Sequence, residues 1–360
     1  MEKSTILKLF LNLGLQIDQR ALNILSENPD ILELVLKTEK ESLPTVITGE
    51  FLESLLNKTE EQKISVEQLS KVANYRYEFI RDLFITQQKL NNLLSINKIT
   101  DKTKQFSVIG IVSEINDILT LEDVTGQAVF EIDKEQSKYI VEDEVIGLVC
   151  ERKFGVNEVK QVIYPDIPIK KEISKTQSSE KCFFISDIHL DSPNFNRNYY
   201  KNFLSWIKEQ KNIHIFAFGD ISRKKEDIIK FISDMPQSTR FYSEADALKP
   251  ITLNIQNIQI LLSPGEHLHH YMNLWNTTLE TTIINLLKKR NLNPILTPSS
   301  YNNAFLLETI PDIIVFSGVN KATTINYKGI TIVTNGSFLT EPIYWLINLQ
   351  TRETFKIDFS

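Results

Sequence analysis

The chain has 360 residues, 42% apolar and 24% charged, with a formal net charge of −6. That length and balance predict two or three ordinary globular domains, and the lack of any run of about 18 apolar residues leaves nothing to span a membrane. The acidic total argues against a protein that binds nucleic acid alone through a basic surface, though not against a subunit whose partner supplies one.

The first part reads as helical. Residues 1–15 are apolar but interrupted by Lys8 and Asn12, with no small-residue cleavage site after them, so they predict a helix and not a signal peptide. Ile6, Leu9, Phe10 and Leu13 share one helical face. Pro29 and Asp30 open a second helix carrying Ile31, Leu32, Leu34, Val35 and Leu36. Ser65 and Gln68 have the spacing of a capping box, and the helix behind them buries Leu69, Val72, Ala73, Ile80, Leu83 and Phe84. This helical domain spans residues 1–86, and the polar stretch 87–104 reads as a linker.

The hydrophobic period then shortens. Strands are expected at 106–112, 118–121, 128–132, 145–150 and 156–164, with a hairpin turn at Glu122-Asp123-Val124-Thr125-Gly126. Five short strands between 105 and 168 fit a small closed β-barrel of the OB type. A single-strand binder of that type needs aromatic platforms in a basic groove. Phe106, Phe130, Tyr139, Phe154 and Tyr164 are present, but with little basic clustering, so they read as core or partner contacts. Residues 169–180 form a second polar linker.

From 181 to 360 strands and helices alternate, which predicts a layered α/β sandwich. Strands are expected at 182–185, 214–218, 251–255, 258–262, 304–307, 313–316, 330–333 and 344–349, with helices at 203–208, around Ile228, Ile229 and Ile232, and at 281–287. Cys150 and Cys182 lie in apolar strands of separate domains, as buried thiols of a reducing compartment would. His214, inside an apolar strand, reads as a core histidine.

Two strand ends carry chemistry. Asp187-Ile188-His189 follows one strand and Gly219-Asp220 the next. Hydrolases that use two divalent ions need carboxylates and imidazoles converging from several strand ends, with one carboxylate bridging the ions. Ser186-Asp187-Ile188-His189-Leu190 and Phe218-Gly219-Asp220 resemble the first two metal motifs of calcineurin-like phosphoesterases. Further on, Leu286-Leu287-Lys288-Lys289-Arg290-Asn291-Leu292-Asn293-Pro294, Pro311-Asp312-Ile313-Ile314, Tyr327-Lys328-Gly329 and Val333-Thr334-Asn335-Gly336-Ser337 resemble segments of the small subunits of archaeal D-family DNA polymerases. These are relatives of the B-subunits of eukaryotic replicative polymerases. The resemblance implies an α/β multidomain chain: a helical N-terminal domain, an OB-fold and a calcineurin-like metallophosphoesterase sandwich. It also implies a cytoplasmic replication protein that binds a large catalytic subunit and meets DNA through that complex.

The remaining motifs of that family are eroded. By the resemblance, the third falls on Met235-Pro236-Gln237-Ser238-Thr239, the fourth on Ser263-Pro264-Gly265 and the fifth on Gly318-Val319-Asn320-Lys321, none with its usual histidine or asparagine. Asp187, His189 and Asp220 remain as residual ligands for a weakly held Mn²⁺ or Mg²⁺, or as relics that hydrogen-bond the strand-end loops. His267, His269 and His270 could substitute for lost ligands; solvated loop or helix-cap positions are the plainer reading. The expectation is an accessory subunit with little or no 3′→5′ exonuclease activity of its own; an active exonuclease with substitute ligands is the alternative. Tyr327, Phe338, Tyr344 and Trp345 are candidates for a partner surface or for completing the sandwich core.

Overall fold

The computed structural model describes residues 3–12, 15–27, 35, 46–49, 52, 66–116, 118–169, 172–210, 213–237, 239–241, 249–296 and 303–360. The chain divides into two compact units, Met1–Gln68 and Leu69–Ser360.

In the first unit α1 (Lys3–Asn12) is followed by β1 (Gln16–Ile17), α2 (Gln19–Glu27) and β2 (Val46–Ile47), with β1 and β2 paired in parallel. Ile6 and Phe10, one turn apart, share a core with Leu15, Ala21, Leu25 and Ile47. Asp18 begins α2 by accepting the Ala21 amide at 2.6 Å, satisfying one of the donors a helix start leaves free. Leu13, the Pro29–Leu36 helix apart from the buried Val35, and Ser65 of the capping box lie outside the described residues.

From Leu69 onward, α3 (Val66–Thr86) belongs to the second unit. Tyr77, Ile80 and Phe84 pack against Ile109 and Val145, on the outside of a five-stranded antiparallel sheet. That sheet consists of β3 (Gln105–Ile115), β4 (Leu119–Asp123), β5 (Gly126–Phe130), β6 (Val145–Lys153) and β7 (Val156–Ile163), in the order β5-β4-β3-β6-β7. Its edges meet where Glu131 pairs with Glu158: the Glu131 amide donates to Asn157 O and the Val159 amide to Glu131 O, both at 2.8 Å. Closure removes the unpaired edges and leaves Phe106, Val108, Leu121, Phe130, Ile146 and Leu148 inside. Register shifts at Val112/Glu114 and Val149/Cys150 supply the bends that closing so small a barrel requires. The expected β4–β5 turn forms with Asp123 Oδ1 accepting the Thr125 amide at 2.7 Å. A short helix, α4 (Lys134–Ser137), links β5 to β6. Phe106 and Phe130 are core, Tyr139 and Tyr164 are half-buried, and Phe154 stands fully exposed at the β6–β7 turn.

The remainder is a four-layer sandwich. One sheet, in the order β10-β9-β8-β16-β17, comprises β8 (Lys181–Ser186), β9 (Ile213–Phe218), β10 (Thr239–Phe241), β16 (Ile343–Asn348) and β17 (Thr354–Asp358). The other, in the order β11-β12-β13-β15-β14, comprises β11 (Ile251–Ile255), β12 (Ile258–Pro264), β13 (Ile313–Ser317), β14 (Thr323–Tyr327) and β15 (Ile330–Thr334). Strand alternation builds the layers. Cys182, Phe184, Phe216 and Phe218 meet Ile260, Leu262, Ile313 and Val315 between the sheets. Phe183, Ile185 and Ile215 face outward onto α5 (Arg197–Glu209) and α6 (Lys225–Asp234) through Phe203, Ile207 and Phe231. Leu261, Ile314 and Phe316 face α7 (Glu266–Trp275) and α8 (Leu279–Lys288) through Leu268, Tyr271, Ile283 and Leu287.

Barrel and sandwich are joined by buried polar contacts. Lys289 Nζ pairs with the Glu144 carboxylate, donates to Tyr139 O at 2.7 Å and lies 4.5 Å from the Tyr164 ring centre. Arg76 donates to Asn303 Oδ1 at 2.7 Å and to Pro294 O at 2.6 Å. Asp166 accepts from Lys328 Nζ at 2.6 Å and from Tyr327 Oη at 2.9 Å.

Three sequence expectations are corrected here. Residues 267–270 are neither loop nor cap but the first turns of α7, whose Leu268, Tyr271 and Trp275 carry the helical spacing that buries them. The strand expected at 304–307 is an isolated bridge of Leu306 with Asn291, because Asn303 turns the chain with φ +54°. His214 is not core: it sits near the start of β9, partly open, with Nε2 3.0 Å from Glu180 Oε2.

Candidate functional site

Several strands end together and each turns sharply. β8, β9 and β10 run parallel, as do β12, β13 and β15, so within each sheet the C-terminal ends lie on one side. Asp187 (φ +55°), Gly219 (φ +72°) and Gly318 (φ +70°) take the left-handed conformation directly after β8, β9 and β13, which stops each strand and swings its loop out of the sheet. His189 (φ +53°) repeats the turn two residues on. The ends converge: a Cβ on Gly219 would lie 2.7 Å from Asp187 Oδ1 and 3.2 Å from Ser317 Cβ.

Asp187 is 2% exposed, and one of its carboxylate oxygens is held by the protein's own donors. Its Oδ2 accepts the Gly318 amide at 2.7 Å and the Ser186 hydroxyl at 2.8 Å, while Oδ1 faces Gly219. Burial pushes its pKa above the usual carboxylate range, and the Gly318 and Ser186 donors pull it partly back. The backbone beneath is stapled as well. Ser337 Oγ donates to Asp187 O at 3.1 Å, Tyr344 Oη to Ser186 O at 3.0 Å and Asn335 Nδ2 to Ser186 Oγ at 3.1 Å. His189 Nδ1 lies 3.1 Å from Asp220 Oδ2, and the Leu190 amide donates to Ile221 O at 2.9 Å, fastening the two loops together. Asp220 Oδ1 is buried without a hydrogen-bond partner.

Asp187, His189 and Asp220 are thus brought to one place, but not as an open ligand set. Asp187 Oδ2 takes two of the protein's own donors, His189 Nδ1 lies against Asp220 Oδ2, and Asp220 Oδ1 is buried without a hydrogen-bond partner. Among the described residues, no group of three or more His, Cys, Asp or Glu side chains is arranged to hold a metal ion. These donors do not fit a two-metal centre.

The histidines of α7 diverge. His269 and His270 are exposed. His267 packs edge-on to Phe305 with ring centres 5.0 Å apart; burial pulls its imidazole down to about 4, and Nε2 has no hydrogen-bond partner. Lys321 is exposed. The residue that sequence reasoning missed is Glu266, whose side chain fills the space over Gly318. Although the residue is exposed overall, crowding of its carboxyl and the nearby Asp187 carboxylate raise its pKa. Its position in the first turn of the helix after Pro264-Gly265 was the available signal, obscured by the histidines beside it.

The third motif also moves. Met235-Pro236-Gln237 precede β10 and so lie at the opposite end of the strand from Asp187 and Asp220. Residues 242–248, which follow β10 in sequence, and Ser238 lie outside the described residues. The proposed partner surface is corrected too. Phe338 and Tyr344 are 0% and Trp345 7% exposed, because β16 is an inner strand of its sheet and Phe338 packs in the same aromatic core. Tyr327 is half-buried and turned to Asp166.

No protein-family model matches the chain. In sequence it is similar to the DNA polymerase II small subunit of Methanothermobacter thermautotrophicus, 24% identical over 226 residues, covering 54% of this chain and 44% of that one. It is also similar to the DNA polymerase II small subunit of Thermoplasma acidophilum, 19% identical over 355 residues, covering 78% of this chain and 72% of that one. Among solved structures, a chain described as a novel archaeal phosphodiesterase aligns over 49% of this chain and 99% of its own, with 14% identity and a TM-score of 0.32. The first of these alignments spans less than half of its relative's length. Among the described residues no helix is long and apolar enough to cross a membrane. By sequence, the chain is similar to archaeal DNA polymerase II small subunits.

Proposed function

We propose that the chain is the small accessory subunit of a D-family DNA polymerase, which binds and stabilises the large catalytic subunit and does not itself cut DNA. In this reading the barrel, over residues 105–168, is an OB-fold. The sandwich, 181–360, is a calcineurin-like phosphoesterase fold kept for assembly, and DNA is met through the complex. The sequence relationship to polymerase small subunits carries the proposal. The Gly318 amide and the Ser186 hydroxyl on Asp187 Oδ2 support loss of the hydrolytic role, since they compete with a metal ion for that oxygen. A divalent ion, if one binds, has Asp220 Oδ1 as its opening ligand and is weakly held. The test is co-expression of the tagged chain with the large catalytic subunit of the same organism. Retention of the large subunit through a high-salt wash is expected; its loss at low salt would overturn the assignment.

A further inference from the structure

A cavity of about 330 Å³ opens on the outside of the barrel, between α3, the segment 93–95 and the β4–β5 turn. That volume is at the small end of the range of about 300–1,000 Å³ typical of ligand sites, which suits the end of a chain better than a segment running through. Tyr77 and Ile109, packed together, lie beneath it. Tyr77 is 7% exposed, and among the described residues its hydroxyl has no hydrogen-bond partner. A buried phenol ordinarily finds one, so this hydroxyl is available to a ligand atom. One helical turn further on, Arg81 is exposed and forms no ion pair among the described residues. Ser95 adds a hydroxyl that caps no helix amide. Leu93, 39% exposed, and Val124, 77% exposed, supply apolar surface at the rim. The wall also holds two carboxylates. Asp123 is already taken by the Ile96, Thr125 and Gly126 amides and by the Thr125 hydroxyl. Glu78 is exposed three residues before Arg81. These two acidic groups repel a phosphate dianion or a polyphosphate backbone and leave Arg81 to match a single negative charge. The guanidinium fork fits a carboxylate through two parallel hydrogen bonds. Capture of a terminal carboxylate is a recurring mode of peptide recognition.

We propose that this cavity binds the C-terminal residue of a partner polypeptide, with its carboxylate on Arg81 and the Tyr77 hydroxyl and its apolar side chain against Leu93 and Val124. Nothing in this site depends on the reading of the chain as a polymerase subunit.

The experiment is fluorescence anisotropy of the full chain with fluorescein-labelled peptides, Gly-Ser-Gly-Ser followed by Leu, Ile, Val, Met or Phe, each made with a free C-terminal carboxylate and with a C-terminal amide. At least one free acid should bind with a dissociation constant below about 1 mM, and its amide should bind about tenfold more weakly, as the loss of a charged hydrogen-bond pair implies. Arg81→Gln should bring the free acid down to the affinity of the amide and leave the amide unchanged. Tyr77→Phe should weaken the free acid several-fold, and Val124→Asp should weaken both forms. Arg81 and Val124 are exposed, so their variants should keep the wild-type circular dichroism melt. No free acid bound below about 1 mM, equal affinity for acid and amide, or discrimination retained in Arg81→Gln would overturn the proposal. An amidated peptide with an internal aspartate that binds as tightly as the free acids would also overturn it and assign the cavity to a side-chain carboxylate. Displacement of the bound peptide by an equal concentration of oligothymidylate would overturn it in favour of nucleic acid.

Discussion

The ion pair between Lys289 and Glu144 offers a quantitative test of how the barrel is fixed to the sandwich. Both side chains are 2% exposed. Besides Glu144, Lys289 Nζ reaches Tyr139 O at 2.7 Å and Tyr164 Oη at 3.3 Å, while Glu144 Oε1 accepts the Val141 amide at 3.1 Å. Burial pulls Lys289 down and pushes Glu144 up, and their mutual attraction opposes both shifts. At contact distance and an effective dielectric near 20, that attraction is worth about 4 kcal/mol or more, close to the cost of taking the two ions out of water, several kcal/mol each. The pair's net contribution is therefore small, yet breaking it is costly. Lys289→Met fills similar volume but leaves a buried carboxylate and Tyr139 O without their donor, a loss of about 3–5 kcal/mol. Lys289→Met combined with Glu144→Leu removes both charges and should recover most of that loss. Urea unfolding followed through tryptophan fluorescence is the assay, with Trp206 and Trp345 replaced by phenylalanine in every variant so that Trp275 reports, because that indole lies 5.5 Å from Lys289 Nζ and packs edge-on to Tyr139 at 5.7 Å. A single variant that loses less than about 1 kcal/mol, or a double variant no better than the single, would refute the reasoning.

Three further outcomes follow from the site. Asp187→Ala should cost about 2–3 kcal/mol, since it orphans the Gly318 amide and the Ser186 hydroxyl at a left-handed residue, whereas Asp187→Asn should stay within about 1 kcal/mol. Thermal melts decide this, and a manganese-induced rise in wild-type stability that Asp187→Asn abolishes would contradict it. Gly219→Ala should destabilise by about 1–3 kcal/mol, because its φ is +72° and its Cβ would crowd Asp187 Oδ1. Unaltered stability would refute the close approach of these strand ends. His267 has its folded pKa depressed to about 4 from 6.5, so the unfolded chain binds the extra proton between those values. Its share of stability is complete above pH 6.5 and is lost as the pH falls towards 4, by up to about 3 kcal/mol. His267→Phe should flatten the stability profile across that window, and an unchanged slope would place the imidazole in solvent.

The fold was most legible where burial imposes a period. Phe183-Phe184-Ile185 and Ile215-Phe216-Ala217 announce strands because both faces are covered, one by the second sheet and one by helices. The barrel strands were legible differently, as short runs around a hairpin turn, since β5 and β7 leave much of one face open. The site was legible in its first two strand ends, where Asp187, His189 and Asp220 sit after apolar runs. It was not legible in the state of those groups, because the donors on Asp187 Oδ2 are the backbone of Gly318 and the hydroxyl of its neighbour, neither visible as a motif. The Glu-His-Leu-His-His run misled because its polar residues drew attention from Leu268 and Tyr271, which make it a helix. Tyr344 and Trp345 could not be sorted by residue type, since aromatics serve interfaces and cores alike; the strand order of the sheet buries them.

The central claim, assembly without cleavage, is tested most directly by manganese-dependent release of nucleotides from end-labelled single-stranded DNA. The sample is the complex reconstituted from the large subunit and either the wild-type chain or its Asp220→Asn variant. The account predicts that both chains form the complex and that release is the same with either. Release that the wild-type chain supports and Asp220→Asn abolishes would contradict it.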